Sequence, residues 1–170
     1  MAVDTATFRS LFGSFPTAVT VVTAVDAEGV PRGFTCNAIS AVSAEPPLLL
    51  VCADRRSQTL PALLHARSFV VNVLAEGAEE TALVFAGRSE RKFAGLAWRP
   101  SALAGGAPVL DGALAHAECV VTQVLEAGDH WVFIARVEGA ECFARRPVLY
   151  HRGTFSVWAS PEDELAAAPR

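Results

Sequence analysis

The sequence is short of charge. Only 19% of its 170 residues are Asp, Glu, Lys or Arg, against 52% hydrophobic, and the formal net charge is −4. A fully wetted monomer carries more charge than this, so a ligand cleft and a subunit interface are both expected to account for the missing polar surface. No segment reads as a Lys/Arg stripe; the basic residues come in small groups such as Arg55-Arg56, Arg91-Lys92 and Arg145-Arg146. This speaks against a nucleic-acid partner, which demands a basic face. An anionic small ligand needs only one such group.

Long apolar runs are also missing. The longest, Pro46 to Ala53, is far too short to span a bilayer, so no membrane association is expected. Met1 to Phe15 shows no basic region followed by an apolar run, so no signal peptide is expected either. Cys36, Cys52, Cys119 and Cys142 lie far apart with no C-x-x-C pair, and three of them fall in apolar segments. Reduced, mostly buried thiols of a cytoplasmic protein are the expectation.

Several catalytic signatures are absent. There is no G-x-x-x-x-G-K-[ST] loop, no G-x-G-x-x-G after the first strand and no G-x-S-x-G elbow. No histidines stand at i, i+4 and no His/Cys cluster has zinc spacing, so no metal site is expected. A hydrolase or a dehydrogenase of the Rossmann type is poorly supported.

What is present is mostly strand. A first helix, capped by Asp4 or Thr5, puts Phe8, Leu11, Phe12 and Phe15 on one stripe before Pro16 stops it. Ala18 to Asp26 is β-branched and apolar, and a turn at Ala27-Glu28-Gly29 leads to a second strand that continues through Gly33 to Val42. Leu48 to Ala53 reads as a strand buried on both faces. Thr59 caps a short helix with Pro61 in its first turn. Ser68 to Ala75 is another buried strand, Glu79 to Phe85 suits a helix ended by Gly87, and Arg88 to Pro108 is loop-like. Ala115 to Glu126 and His130 to Phe143 alternate around Ala127-Gly128-Asp129, which makes a long antiparallel hairpin. Val148 to Trp158 adds a last strand around Gly153. Strands without regular β-α-β alternation indicate a mainly β chain, an antiparallel barrel with peripheral helices. With no repeat and no linker, residues 1–159 are expected to form one domain and residues 160–170 a loosely held tail.

Three segments are hard to explain as plain core. Gly33 to Ser43 packs small and hydroxylic residues where valine and isoleucine would stabilise a sheet better. Such a strand lets a flat ligand approach the backbone closely; an edge strand or a solvated face accounts for the same residues. Arg55-Arg56-Ser57-Gln58-Thr59 opens a helix, with Arg91-Lys92 further on, and hydroxyls, free N–H groups and a lysine suit a phosphate. An ordinary cap with solvated cations is the plainer explanation. Gly128-Asp129-His130 sets a histidine at a hairpin tip, where it can meet a substrate ring, although Gly-Asp is also simply good turn chemistry. His65, His116 and His151 receive no role.

Taken in order, these landmarks resemble the short flavin reductases that supply reduced flavin to two-component monooxygenases. The likeness rests on Phe15 to Thr23, Gly33-Phe34-Thr35-Cys36-Asn37, Val42 to Leu48, Ser57-Gln58-Thr59, Phe69 to Leu74, Phe85-Ala86, Lys92-Phe93 and Gly128-Asp129-His130. It implies a Greek-key split β-barrel of the FMN-binding type, with hydride transfer from NADH or NADPH to FMN or FAD. By this resemblance Thr35, Cys36, Asn37, Ser43 and Cys52 border the flavin ring, and Ser57, Thr59 and Lys92 hold its phosphate. Phe85, Ala86 and Phe93 line the cleft, while Gly128, Asp129 and His130 lie beside the nicotinamide. It also implies a homodimer and transient flavin transfer to a separate oxygenase. Ala38-Ile39 departs from the Ser-Phe common in relatives, and Cys36 from an alanine or serine. Two rivals stand beside this reading: a flavin carrier or sensor without catalysis, and a flavoprotein that retains its flavin and acts on its own substrate.

Overall fold

A computed structural model describes residues 2–158; the tail expected from residue 160 lies outside the described residues. The elements run α1 (Thr5–Gly13), β1 (Thr17–Ala18), β2 (Thr20–Val25), β3 (Pro31–Cys36), β4 (Ile39–Ala44), β5 (Pro47–Asp54), α2 (Leu60–Ala66), β6 (Ser68–Leu74) and α3 (Glu79–Ala86). They continue with β7 (Trp98–Pro100), β8 (Pro108–Leu110), β9 (Ala113–Ala127), β10 (His130–Cys142), β11 (Val148–His151) and β12 (Thr154–Val157). Seven strands form one antiparallel sheet in the order β3-β2-β6-β9-β10-β5-β4.

The two edges of that sheet, β3 and β4, are consecutive in the chain. The stretch expected to be a single strand from Gly33 to Val42 is therefore two, because the chain leaves one edge at Asn37-Ala38 and joins the other. The Cys52 N–H donates to the Ala38 carbonyl at 3.0 Å, and the Cys36 thiol reaches the Cys52 carbonyl at 3.6 Å. These bonds draw the edges together and curl the sheet into a barrel. The long β9–β10 hairpin bends with it, its register shifting at Ile134/Ala135 and at Val137/Gly139.

Inside the barrel lie Val22, Val51, Phe69, Val71, Cys119, Phe133 and Ala135, with Leu60 and Leu63 of α2 packed against them. Burial holds the Cys36 and Cys119 thiols neutral, pushing them up to about 11 and about 12. β5 alternates rather than being buried on both faces: Leu49, Val51 and Ala53 point inward, while Leu48, Leu50 and Cys52 are half-buried outside. An antiparallel strand needs only one covered face. The expected 88–108 loop contains β7 and β8, which pair with each other, and Val148 to Trp158 holds a β11–β12 hairpin rather than one strand. Asn72, fully buried in β6, ties the β8 segment down: its amide reaches the Pro108 carbonyl at 3.3 Å, and its oxygen accepts from the Leu110 N–H at 2.8 Å.

Asp4 caps α1 by accepting from the Thr7 N–H at 2.7 Å. The apolar stripe of this helix does not enter the core: Phe8 and Phe12 are 52% exposed and Leu11 60%.

α3 packs across β3 at one point of very close approach. A Cβ at Gly33 would stand 2.7 Å from Cε1 of Phe85 and 3.2 Å from the Val22 carbonyl. The Phe85 ring is fully buried, braced edge-on by Phe93 at 5.0 Å between centroids, so it has no room to retreat. Thr35 adds a hydroxyl bond to the Ala82 carbonyl at 2.5 Å. Gly33→Ala is therefore expected to lower stability by about 1–3 kcal/mol through overpacking. Phe85→Leu in the same chain should restore part of that loss. Urea unfolding of the three proteins measures both; an unchanged midpoint for Gly33→Ala would mean that helix and strand do not meet this closely.

Candidate active site

β5 ends at Asp54, whose carboxylate organises the chain that follows. It accepts from the Arg56 backbone N–H at 2.7 Å and from the Arg56 guanidinium at 3.1 and 2.7 Å. These bonds, the guanidinium's first, hold the Asp54 carboxyl well below the usual carboxylate range. The loop then enters α2 through Thr59, which occupies the cap position and is buried, yet makes no side-chain capping bond. Thr59 is thus the N-cap, as expected, by position only, and the Ser57 hydroxyl accepts from the Thr59 N–H at 3.3 Å.

Beside this loop stands the end of α3. Lys92 reaches back from the next segment and donates to the carbonyls of Gly33 at 3.0 Å and Phe85 at 2.9 Å. It is half-buried, and desolvation lowers its pKa. An ammonium has three protons, so one remains for a ligand. β3 is at once an edge strand and a wall of the cavity. An edge strand leaves backbone groups without sheet partners, and Lys92 takes one of them.

The result is a cavity of about 300 Å³ whose lining includes Phe34, Thr35, Ser57, Phe85, Ala86 and Lys92. Of the residues singled out from sequence, these come together. Phe93 and the buried Thr59 line a small recess alongside, which Lys92 shares. Asn37 lies in a neighbouring hollow with Thr35, Tyr150 and Phe155. The Cys36 side chain points into the barrel core instead, and Ser43 and Cys52, on the opposite edge strand and its neighbour, do not line the cavity. Gln58, part of the singled-out Arg55–Thr59 segment, lines it too; sequence reasoning missed Asp54 and Arg88, which also line it. The signal for Asp54 was legible as an Asp-x-Arg turn directly after a strand.

The hairpin tip adjoins this mouth. His130 pairs in register with Asp54, and the Arg55 N–H donates to the Asp129 carbonyl at 3.0 Å. Arg55 also bridges to Glu126 at 2.6 Å, pinning loop to hairpin. Gly128 takes φ +62°, which the tight turn requires. His130 Nδ1 lies 2.8 Å from the Asp129 carboxylate. A carboxylate only accepts, so the proton is on Nδ1 and Nε2 is left for another partner. Hydrogen bonding to His130, the larger cause, and its charge lower the Asp129 carboxyl.

An aromatic cleft bordered by an open strand edge, a polar loop and three cations fits a flat, anionic ligand such as a flavin nucleotide. Among the described residues no group of His, Cys, Asp and Glu is arranged to hold a metal ion, and no helix is long and apolar enough to cross a membrane. Comparison with known proteins points the same way. Residues 12–159 match the model of the flavin reductase like domain. The chain is 44% identical over 169 residues to a flavin reductase (NADH) of Kitasatospora aureofaciens, covering 98% of this chain and 88% of that protein. It is 42% identical over 156 residues to HsaB, the reductase subunit of a flavin-dependent monooxygenase of Rhodococcus jostii, covering 91% and 78%. Among solved structures, the NADH:FAD oxidoreductase SgcE6 of Streptomyces globisporus, in complex with NAD and FAD fragments, superposes with a TM-score of 0.86 at 36% identity, covering 96% of this chain and 99% of that one. The open edge of β3, the Asp54–Thr59 loop and the lysine that joins β3 to α3 are thus built on the split barrel of the flavin reductase family, to which this chain belongs.

Proposed function

We propose that this protein reduces a flavin with NADH and hands the reduced flavin to a separate oxygenase. The observation that carries the reading is convergence: the β3 edge, the loop opening α2 and Lys92 border one cavity, with the Gly-Asp-His corner tied to its rim. Relatives named as reductase subunits of flavin-dependent monooxygenases support the delivery of flavin to a partner. Four free thiols and a reductant of the NADH type suit the cytoplasm.

The chemistry is hydride transfer from nicotinamide C4 to flavin N5, and the protein contributes position, dry surroundings and fixed charge. Thr35 and the backbone of Cys36 and Asn37 border the flavin ring. Ser57, Thr59 and the free proton of Lys92 hold the phosphate, and Phe85, Ala86 and Phe93 close the cleft. Arg56, fixed by Asp54, adds a positive charge that is already ordered before ligand arrives. At the tip, Gly128 and Asp129 orient His130, whose Nε2 meets the nicotinamide. No contact of Ser43 or Cys52 with the flavin is part of this assignment.

The exposed stripe of α1 supports a homodimer. Phe8 and Phe12 line one hollow with Tyr150 and Asn37, and Asn37 and Tyr150 in turn line the hollow next to Thr35. A second copy covering α1 therefore also shields the flavin ring.

Three outcomes are expected. Purified protein mixed anaerobically with NADH and FMN or FAD consumes NADH and bleaches the flavin; a stable flavin spectrum with both would remove the reading. His130→Ala lowers the reduction rate by about tenfold, equivalent to about 1.4 kcal/mol, while flavin Kd from fluorescence titration moves less; the reverse pattern misplaces the residue. Leu11→Asp converts a dimer to a monomer in analytical ultracentrifugation, and a monomeric parent protein refutes the dimer.

A further inference from the structure

A second hollow, of about 600 Å³, opens between α3 and the segment after it. Leu83 and Val84, 62% and 37% exposed, form an aliphatic wall inside it. Arg88 and Arg91 line its far end with no ion-pair partner among the described residues, whereas Arg32, Arg55, Arg56, Arg136 and Arg146 each have a carboxylate. An open concavity with an apolar wall and two unneutralised guanidinium groups suits an occupant that is both apolar and acidic.

The chain after β12 leaves from the near lip of this hollow. The Trp158 N–H donates to the Pro147 carbonyl at 3.4 Å, Pro147 bridges to Ala75, and the Glu76 N–H donates to the Arg146 carbonyl at 2.8 Å. Gly77, the next residue, lines the hollow. The sequence that follows Trp158 runs Ala159-Ser160-Pro161-Glu162-Asp163-Glu164-Leu165: three acids in a row, then an aliphatic side chain. At 1.5 Å per residue, α3 (Glu79–Ala86) is about 12 Å long. Four to six extended residues span about 13–20 Å, so Glu162 to Glu164 reach Arg88 and Arg91 beyond the end of the helix. Ala159, Ser160 and Pro161 carry no charge where the path passes Glu80.

We propose that this acidic tail docks along the hollow of its own chain, with its carboxylates on Arg88 and Arg91 and Leu165 against the apolar wall. Exposed charge pairs are individually weak, but a tether of a few residues supplies an effective concentration on the order of millimolar. Arg88 and Lys92 line both the hollow and the candidate active site. The docked carboxylates therefore sit beside the cations that face a flavin phosphate and compete with it. The docking stands on the geometry alone; the competition rests on the reductase reading.

The test uses the full chain, nitrogen-15 labelled, and two full-length variants: Arg91→Glu in the hollow, and Glu162→Gln with Asp163→Asn and Glu164→Gln in the tail. In the parent, backbone order parameters of residues 162–165 are expected above about 0.6, below which a backbone is flexible, and both variants drop them under it. A parent tail already under that value, or one unmoved by Arg91→Glu, overturns the docking. An isotope-filtered NOE from the tail of a labelled chain to Leu83 of an unlabelled one gives the tail to a second copy and overturns it too. For the competition, Kd is measured at low salt for FMN and for riboflavin, which lacks the phosphate. Neutralising the tail is expected to tighten FMN about threefold and leave riboflavin unchanged, and the gain vanishes in about 1 M salt, where charges are screened beyond about 3 Å. An FMN Kd that does not respond to the tail refutes the competition. Failure of all three proteins to bind either flavin would sink the reductase reading, while the order parameters still decide the docking.

Discussion

Gly33 lets Phe85 lie against bare backbone, and everything at the site follows from that approach. It brings the end of α3 within reach of the β3 edge, so that one ammonium, Lys92, spans the carbonyls of both. A methyl group at Gly33 would push helix from strand, and the lysine would then have to choose between them. The cavity is the space left where a helix end, a strand edge and a loop are held apart by a buried aromatic ring and held together by a single cation. Its polar groups are ordered before any ligand arrives, which spares binding the entropy of arranging them.

Electrostatics at the mouth follow the same economy. Asp54 fixes Arg56, Glu126 fixes Arg55 and Asp129 fixes the His130 tautomer, so each group is oriented by a neighbour one or two residues away or, for Arg55, by the facing end of β9. These pairs are exposed and contribute little to stability. Their value is geometric: the local pairs hold side chains in place, and Arg55, through Glu126 and the Asp129 carbonyl, ties the loop from β5 to the hairpin tip.

Much of this was legible in residues. Alternation exposed the long hairpin, Gly128-Asp129 its turn, and Ser57 to Thr59 the helix entrance. The small residues of Gly33 to Asn37 marked a strand that something must approach. Local pattern could not show that Asn37-Ala38 carries the chain from one edge of the sheet to the other, because closure is decided by bonds to Cys52, far along the sequence. Nor could it show which way Cys36 turns, since its neighbours Thr35 and Asn37 line a surface hollow while it faces the core. The stripe on α1 marked an apolar helix face, yet among the described residues Phe8, Leu11 and Phe12 stay exposed, and a pattern of hydrophobicity carries no information on whether a surface covers it.

β3 ends the sheet with unpaired backbone groups, and such an edge invites another chain to zip onto it. Lys92 blocks that. By claiming the Gly33 carbonyl and setting a charge beside it, it makes intermolecular strand pairing costly whenever the cleft is empty. The same lysine that borders the cavity therefore also guards the sheet edge against aggregation.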